Sequence, residues 1–101
     1  MIYTLTQVGF MSRLNTEKIS DTRCIGYFFD LTKINEIIKK GMYGLNEAGY
    51  YPYLIVEHVP EGVYPFNTKV VAWYKYKNNK WSKLKKAPKI ANPSSICYGI
   101  G

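Results

Sequence analysis

The segment KVVAWYKYKNNKWSKLKK, residues 69–86, constrains the fold most strongly because it has the pattern of a tight β-hairpin. Asn78 and Asn79 lie between two runs rich in β-branched and aromatic residues, and such a pair favours a two-residue turn. The predicted cross-strand pairs are Lys77–Lys80, Tyr76–Trp81, Lys75–Ser82 and Trp73–Leu84. A four-residue loop, KNNK, would keep the same pairing of Tyr76 with Trp81, so the predicted register does not depend on the loop type.

Side-chain alternation along the two predicted strands then assigns each residue to a face. One face carries Val71, Trp73, Leu84, Lys75, Lys77 and Lys80. The other carries Val70, Ala72, Tyr74, Tyr76, Trp81, Lys83 and Lys85. Neither face is uniformly hydrophobic, so we expect a buried base and a tip that projects into water.

The rest of the chain predicts three more strands and one helix. Strands are predicted over residues 2–8, 23–29 and 50–59, and the polar, unpatterned residues 11–23 are predicted to form a long loop. Asp30 is the expected helix N-cap and Gly41 its end, with an apolar stripe between them formed by Leu31, Ile34, Ile37 and Ile38. This order predicts an α+β fold, in which an antiparallel sheet of about five strands has one helix packed on one face.

The length of 101 residues fits one domain spanning residues 1–101, and the apolar content of 47% predicts a packed core. We expect residues 88–101 to fold back on the sheet as a C-terminal tail, because Ile90, Ile96, Tyr98 and Ile100 are apolar. No apolar run reaches the ~20 residues of a membrane helix, and the first residues lack the pattern of a signal peptide. A cytoplasmic protein is therefore expected.

The positive charge is concentrated in the last third of the chain. Residues 1–68 carry six basic and seven acidic side chains, a net charge of −1, whereas residues 69–89 carry eight lysines and no acid, a net charge of +8. A one-sided excess of this kind creates a field that attracts anions.

Lysines and aromatic rings in one hairpin form the candidate ligand-binding site, because aromatic faces stack on bases while cations attract phosphates. The candidate residues are Lys75, Lys77, Lys80, Lys83, Lys85, Lys86, Tyr74, Tyr76 and Trp81. The structural alternative is that the aromatic residues pack in the core while the lysines protect an edge strand from aggregation.

Groups for catalysis or metal binding are sparse. His58 is the only histidine, and Cys24 and Cys97 are too far apart to give a recognisable metal-ligand spacing, so we expect two reduced thiols, no metal and no cofactor. No phosphate-binding glycine loop or nucleophile elbow is present. The sequence therefore favours a protein that is not an enzyme.

Several segments resemble a set of small proteins encoded by bacteria and their prophages. They are RCIGYFFDL (23–31), the predicted helix that ends near Gly41 and Met42, YYPYLIVEHVPEGVYP (50–65), WYKY (73–76) and the terminal CYGIG (97–101). The set has no assigned activity, so the resemblance implies a genomic setting of phages and mobile elements but no site residues. Because small proteins without enzymatic activity from that setting often look like counter-defence factors, the resemblance implies such a role by analogy.

Together these features predict a non-enzymatic binding protein that holds a phosphate-bearing ligand, either a nucleotide signal or a nucleic-acid-handling host complex. A homodimer would enlarge the binding surface. One alternative is a small basic ribonuclease of the toxin type that uses His58 with lysine and tyrosine for acid-base chemistry. Another is a protein–protein inhibitor that uses exposed aromatic residues as anchors.

Overall fold

The structure is a computed structural model, and it describes residues 2–13, 16–41, 51–61 and 68–88. These residues form a five-stranded antiparallel sheet and one helix, as the sequence predicts, and the strand order is β2-β1-β3-β4-β5. The elements are β1 (Ile2–Arg13), β2 (Thr16–Phe28), α1 (Leu31–Lys40), β3 (Tyr53–Val59), β4 (Lys69–Lys77) and β5 (Lys80–Lys83). The radius of gyration, 13.1 Å, equals the ~13 Å expected of a compact domain of this length.

The predicted long loop over residues 11–23 is wrong, because strands β1 and β2 run through most of this segment. They pair as a long antiparallel hairpin that closes with Arg13 opposite Thr16. The pairing register shifts twice, between Leu5 and Thr6 and again between Gly9 and Phe10. Each shift places an extra residue on one strand and interrupts the two-residue alternation, which removes the sequence pattern of a strand.

Strand β2 also lies at the edge of the sheet. An edge strand has one neighbour and needs no continuous apolar pattern, so polar residues are common in it. This explains why only its last part, RCIGYF, looks like a strand in the sequence.

Helix α1 begins and ends at the predicted residues. The Asp30 carboxylate accepts a hydrogen bond from the backbone N–H of Thr32 at 2.9 Å, and this bond lowers the pKa of Asp30. At the other end Gly41 has a φ of 63°, a left-handed conformation that glycine adopts without steric cost. Its N–H donates to the carbonyls of Ile37 and Ile38, so the last turn of the helix is capped.

The described residues form two core clusters of buried side chains. The first cluster contains Leu5, Ile34, Ile37, Ile38, Leu54 and Val56. The second cluster contains Val8, Tyr53, Ile55 and Trp73. Strand β3 contributes alternate residues to both clusters, since successive side chains in a strand point to opposite faces. This explains why its sequence is almost continuously apolar.

Two predictions concern residues outside the described part of the chain. They are the C-terminal tail predicted over residues 88–101, of which the structure describes only Pro88, and the reduced state of Cys97. Cys24 is exposed and has a free thiol. Within the described ranges, no group of three or more His, Cys, Asp or Glu side chains could hold a metal ion. The helix described here is too short and polar to cross a membrane.

Candidate functional site

The hairpin formed by β4 and β5 has the predicted turn and register. Asn78 and Asn79 have φ angles of 54° and 63°, the combination of a type I′ turn. Lys77 lies opposite Lys80 and Tyr76 lies opposite Trp81. Lys75 lies opposite Ser82, as predicted. The main-chain N–H of Leu84 donates to the carbonyl of Trp73 at 2.8 Å, which agrees with the fourth predicted pair.

The predicted division of the hairpin into two faces is also confirmed by the packing of its aromatic residues. Tyr74 and Trp81 are half-buried against the first cluster, whereas Trp73 belongs to the second cluster, where Leu84 packs against it. Tyr76 meets Trp81 edge to face, with 5.2 Å between the ring centroids and 68° between the planes. Burial raises the pKa of the Tyr74 hydroxyl.

The prediction that the base of the hairpin is buried holds for only part of β4. Ala72 and Trp73 are buried, but Val70 and Val71 are 51% and 40% exposed. Strand β5 pairs only as far back as Tyr74, so among the described residues no strand flanks this first part of β4 on its outer side. The shorter partner strand leaves the two valines uncovered.

An open cleft of about 390 Å³ lies between the end of α1 and the tip of this hairpin. The described residues that line it are Ile38, Lys39, Lys40, Gly41, Tyr76, Asn79, Lys80 and Trp81. Three of them are lysines and none carries a carboxylate, so the cleft combines positive charge with two aromatic rings. We call this space the α1–hairpin cleft.

Three of the nine sequence-predicted site residues line the α1–hairpin cleft: Tyr76, Lys80 and Trp81. The other six are not among the residues that line it: Tyr74, Lys75, Lys77, Lys83, Lys85 and Lys86. The Lys75 ammonium group lies over the ring of Tyr53, 5.6 Å from its centroid, and Tyr53 belongs to the second cluster. Lys83 pairs with Tyr74, while Lys85 and Lys86 are exposed beyond the end of β5.

Sequence reasoning missed the contribution of α1 to this cleft. Lys39 and Lys40 lie in the last turn of the helix, where cations offset the negative end of the helix dipole, and this role explains them without a ligand. The signal for a site was the run of two lysines directly before the capping glycine. No local pattern indicates, however, that this helix end lies beside a hairpin tip forty residues further along the chain.

The indole N–H of Trp81 is buried and has no hydrogen-bond partner among the described residues. An unpaired buried donor costs about 1–3 kcal/mol, so such a group is a place where an acceptor from a ligand or water would be stabilising. The charged side chains among the described residues that line the α1–hairpin cleft are all lysines, which are donors as well. The cleft therefore matches a ligand that is rich in acceptor atoms.

His58 lies at the other end of the sheet from the α1–hairpin cleft. The Tyr76 N–H donates to the carbonyl of Pro52, which marks the cleft end of β3, and His58 is six residues further along that strand. This separation is roughly 20 Å at the usual rise per residue. The ring of His58 contacts Tyr3, with 5.0 Å between centroids, and its Nε2 is buried without a partner in the described part of the chain.

Among the aromatic residues whose side chains the structure describes, the most exposed lie on neither the hairpin nor the cleft. Tyr27, in β2, is 62% exposed, and Phe29, just before the N-cap of α1, is 76% exposed. Their rings meet edge to face with 6.0 Å between centroids. Sequence reasoning placed the exposed aromatic residues on the hairpin, where the rings are half-buried or buried instead.

Comparison with known proteins adds no relative. No protein-family model, curated protein or solved structure matches this chain.

Proposed function

We propose that this protein is a non-enzymatic binding protein that holds a small phosphate-bearing ligand, a nucleotide, in the α1–hairpin cleft. The observation that carries the proposal is the convergence of Lys39, Lys40 and Lys80 with the aromatic pair Tyr76 and Trp81. Phosphate and base are the two parts of a nucleotide, and cations and aromatic rings are the groups that bind them.

The electrostatic balance of the cleft favours an anion. The three lysines among its described lining residues contribute three positive charges, and the adjoining C-terminus of α1 offsets only about half a charge. A dianionic phosphate would relieve the mutual repulsion of these lysines. It would also accept several charge-assisted hydrogen bonds, which are about twice as strong as neutral ones.

The size of the cleft favours a small ligand over a nucleic acid. Its volume of about 390 Å³ is near the lower end of the ~300–1,000 Å³ typical of small-molecule sites. A specific protein–DNA interface buries roughly 1,000–2,500 Å² of protein surface, far more than one cleft provides. A nucleotide with one or two phosphates therefore fits better than a polymer.

We infer that α1 lies across the face of the sheet that carries Tyr76 and Trp81. The buried isoleucines of α1 share the first cluster with Leu54 and Val56, and Trp81 packs against the same cluster. Both walls of the cleft would then rest on one hydrophobic core. A site built in this way is organised before the ligand arrives, which reduces the entropic cost of binding.

The proposal extends to the biological role through the resemblance of the chain to prophage-encoded proteins. In that setting a cytoplasmic protein that binds a nucleotide without altering it acts as a counter-defence factor, because it sequesters the signal. The ribonuclease alternative would need His58 at the site, and roughly 20 Å of β3 separates that ring from the cleft.

Isothermal titration calorimetry with the four nucleoside 5′-monophosphates tests the proposal, at about 50 mM and about 200 mM salt. We expect binding that weakens at the higher salt concentration. Lys80→Gln should weaken it roughly fivefold, since a lysine ~5 Å from a dianion contributes about 1 kcal/mol after screening. Lys77→Gln is the matched control, because Lys77 lies opposite Lys80 but outside the cleft lining. Absence of binding at low salt, or equal effects of the two variants, would contradict the proposal.

A second candidate function, inhibition of a partner protein, is favoured by the exposed pair Tyr27 and Phe29. Exposed aromatic side chains are frequent anchors of protein interfaces. Affinity capture from nuclease-treated host lysate tests it. A partner that is lost with Tyr27→Ser and Phe29→Ser, but retained with Lys80→Gln, would favour this function over nucleotide binding.

A further inference from the structure

Asn79 occupies a turn position at which another residue would be more stable. In a type I′ turn both central residues have positive φ, and Asn-Gly is the most favourable pair, because glycine adopts this conformation without steric cost. Position 79 has a φ of 63° but carries asparagine. Position 79 therefore carries an asparagine side chain although glycine would make the turn more stable.

Asn79 is among the described residues that line the α1–hairpin cleft, whereas Asn78 is not. Asn79 is also the only uncharged amide among the described lining residues. Its carbonyl oxygen accepts and its NH₂ group donates, so it can pair with a ligand edge that presents a donor beside an acceptor. The lysines can only donate.

We propose that Asn79 is a specificity-determining residue that makes the cleft select adenine nucleotides over guanine nucleotides. This inference rests on the proposed function of the cleft. The amide of asparagine pairs bidentately with N6 and N7 of adenine, and the same edge of guanine presents two acceptors, O6 and N7, which leave the amide oxygen unpaired.

The positions of the lining residues agree with one orientation of the ligand. Tyr76, Asn79 and Trp81 come from the hairpin, while Lys39 and Lys40 come from the end of α1. A base on the hairpin side would contact the aromatic pair and present its edge to Asn79. The phosphate would then face the lysines of α1 and the ammonium group of Lys80.

The test compares AMP with GMP on the wild-type protein and on the variants Asn79→Gly and Asn78→Gly, by calorimetry at low salt. We expect wild type to bind AMP at least about fivefold more tightly than GMP, the lower bound for one bidentate pair. Asn79→Gly should make the affinities for AMP and GMP nearly equal. It should leave the thermal unfolding midpoint unchanged or raise it, because it creates the favoured Asn-Gly turn. Asn78→Gly should keep the preference.

The outcomes separate this inference from the proposed function. If nucleotides bind without preference for adenine, or if Asn79→Gly keeps the preference, the proposed role of Asn79 in specificity is wrong. The proposal that the cleft binds nucleotides would stand in both cases. If no nucleotide binds to the wild-type protein, both are wrong. A lower unfolding midpoint for Asn79→Gly would show that asparagine is retained for the stability of the turn, which also overturns the inference.

Discussion

Neutralising the two lysines at the end of α1 should weaken ligand binding about tenfold. Lys39 and Lys40 both line the α1–hairpin cleft, so we take each ammonium group to lie ~6 Å from a bound dianionic phosphate. In a water-like dielectric, two opposite unit charges at that distance attract each other by about 0.7 kcal/mol. Two lysines acting on the two charges of the phosphate make four such pairs, which together contribute nearly 3 kcal/mol. Screening at physiological ionic strength, with a Debye length of ~8 Å, halves this to about 1.4 kcal/mol, a factor of ten in affinity.

The matched control is the double variant Lys85→Gln with Lys86→Gln. These residues are also consecutive and exposed, and the pair removes the same charge. They lie in a bend beyond the end of β5, and the extended residues of β5 separate them from Trp81, so we take them to lie about 10 Å or more from the ligand. Their screened effect at that distance is about twofold or less.

The assay is calorimetric titration of a nucleoside monophosphate into each double variant at physiological salt, with circular dichroism to verify that both fold. The electrostatic reasoning is refuted if the two double variants weaken binding equally, because the ligand would then respond to the overall charge of the chain. It is also refuted if the Lys85 and Lys86 variant has the larger effect. That result would return the site to the outer hairpin surface that the sequence alone indicated.

Two further predictions concern the fold. Ile34→Ala should lower the free energy of unfolding, measured by urea denaturation, by about 2–5 kcal/mol, because the Ile34 side chain is fully buried in the first cluster. Asn35→Ala is the control, because Asn35 is exposed and its loss should change the free energy of unfolding little. Similar effects of the two variants would contradict the assigned core. The pKa of Asp30 lies below its ordinary value of 3.8, so its contribution to stability is present above pH 3.8 and is lost as the pH falls through the lowered pKa. The Asp30→Asn variant keeps a capping side chain that does not titrate, so its melting temperature should fall less than that of the wild-type protein between pH 6 and pH 3. An equal fall in the two proteins would contradict the stabilising role of the Asp30 carboxylate.

The parts of the fold that the sequence predicts are those that depend on local chemistry. The bounds of α1 follow from a capping carboxylate at Asp30 and a left-handed glycine at position 41, and the hairpin register follows from its turn. The strand β3 is recognisable because both of its faces are buried. In each case a few neighbouring residues determine the backbone conformation.

The parts that the sequence does not predict depend on contacts between distant segments. Strand β2 was not recognisable over most of its length because its polar residues pair with β1 through two register shifts, which break the alternation. The cleft was predicted only in part. Tyr76, Lys80 and Trp81 belong to the predicted hairpin site, whereas Lys39 and Lys40 lie at a helix end about forty residues earlier in the chain. Asn79 was recognised as a turn residue, and its position in the cleft is visible only in the structure.

The most direct test of the central claim uses the two indole N–H signals of the protein in a ¹H–¹⁵N NMR titration with AMP. Trp81 lines the α1–hairpin cleft, whereas Trp73 is buried in the second cluster, so each tryptophan is a control for the other. We expect the Trp81 signal to shift progressively and saturate with the calorimetric affinity while the Trp73 signal stays in place. A shift of the Trp73 signal alone, or saturable binding that moves neither signal, would contradict the assignment of the cleft as the binding site.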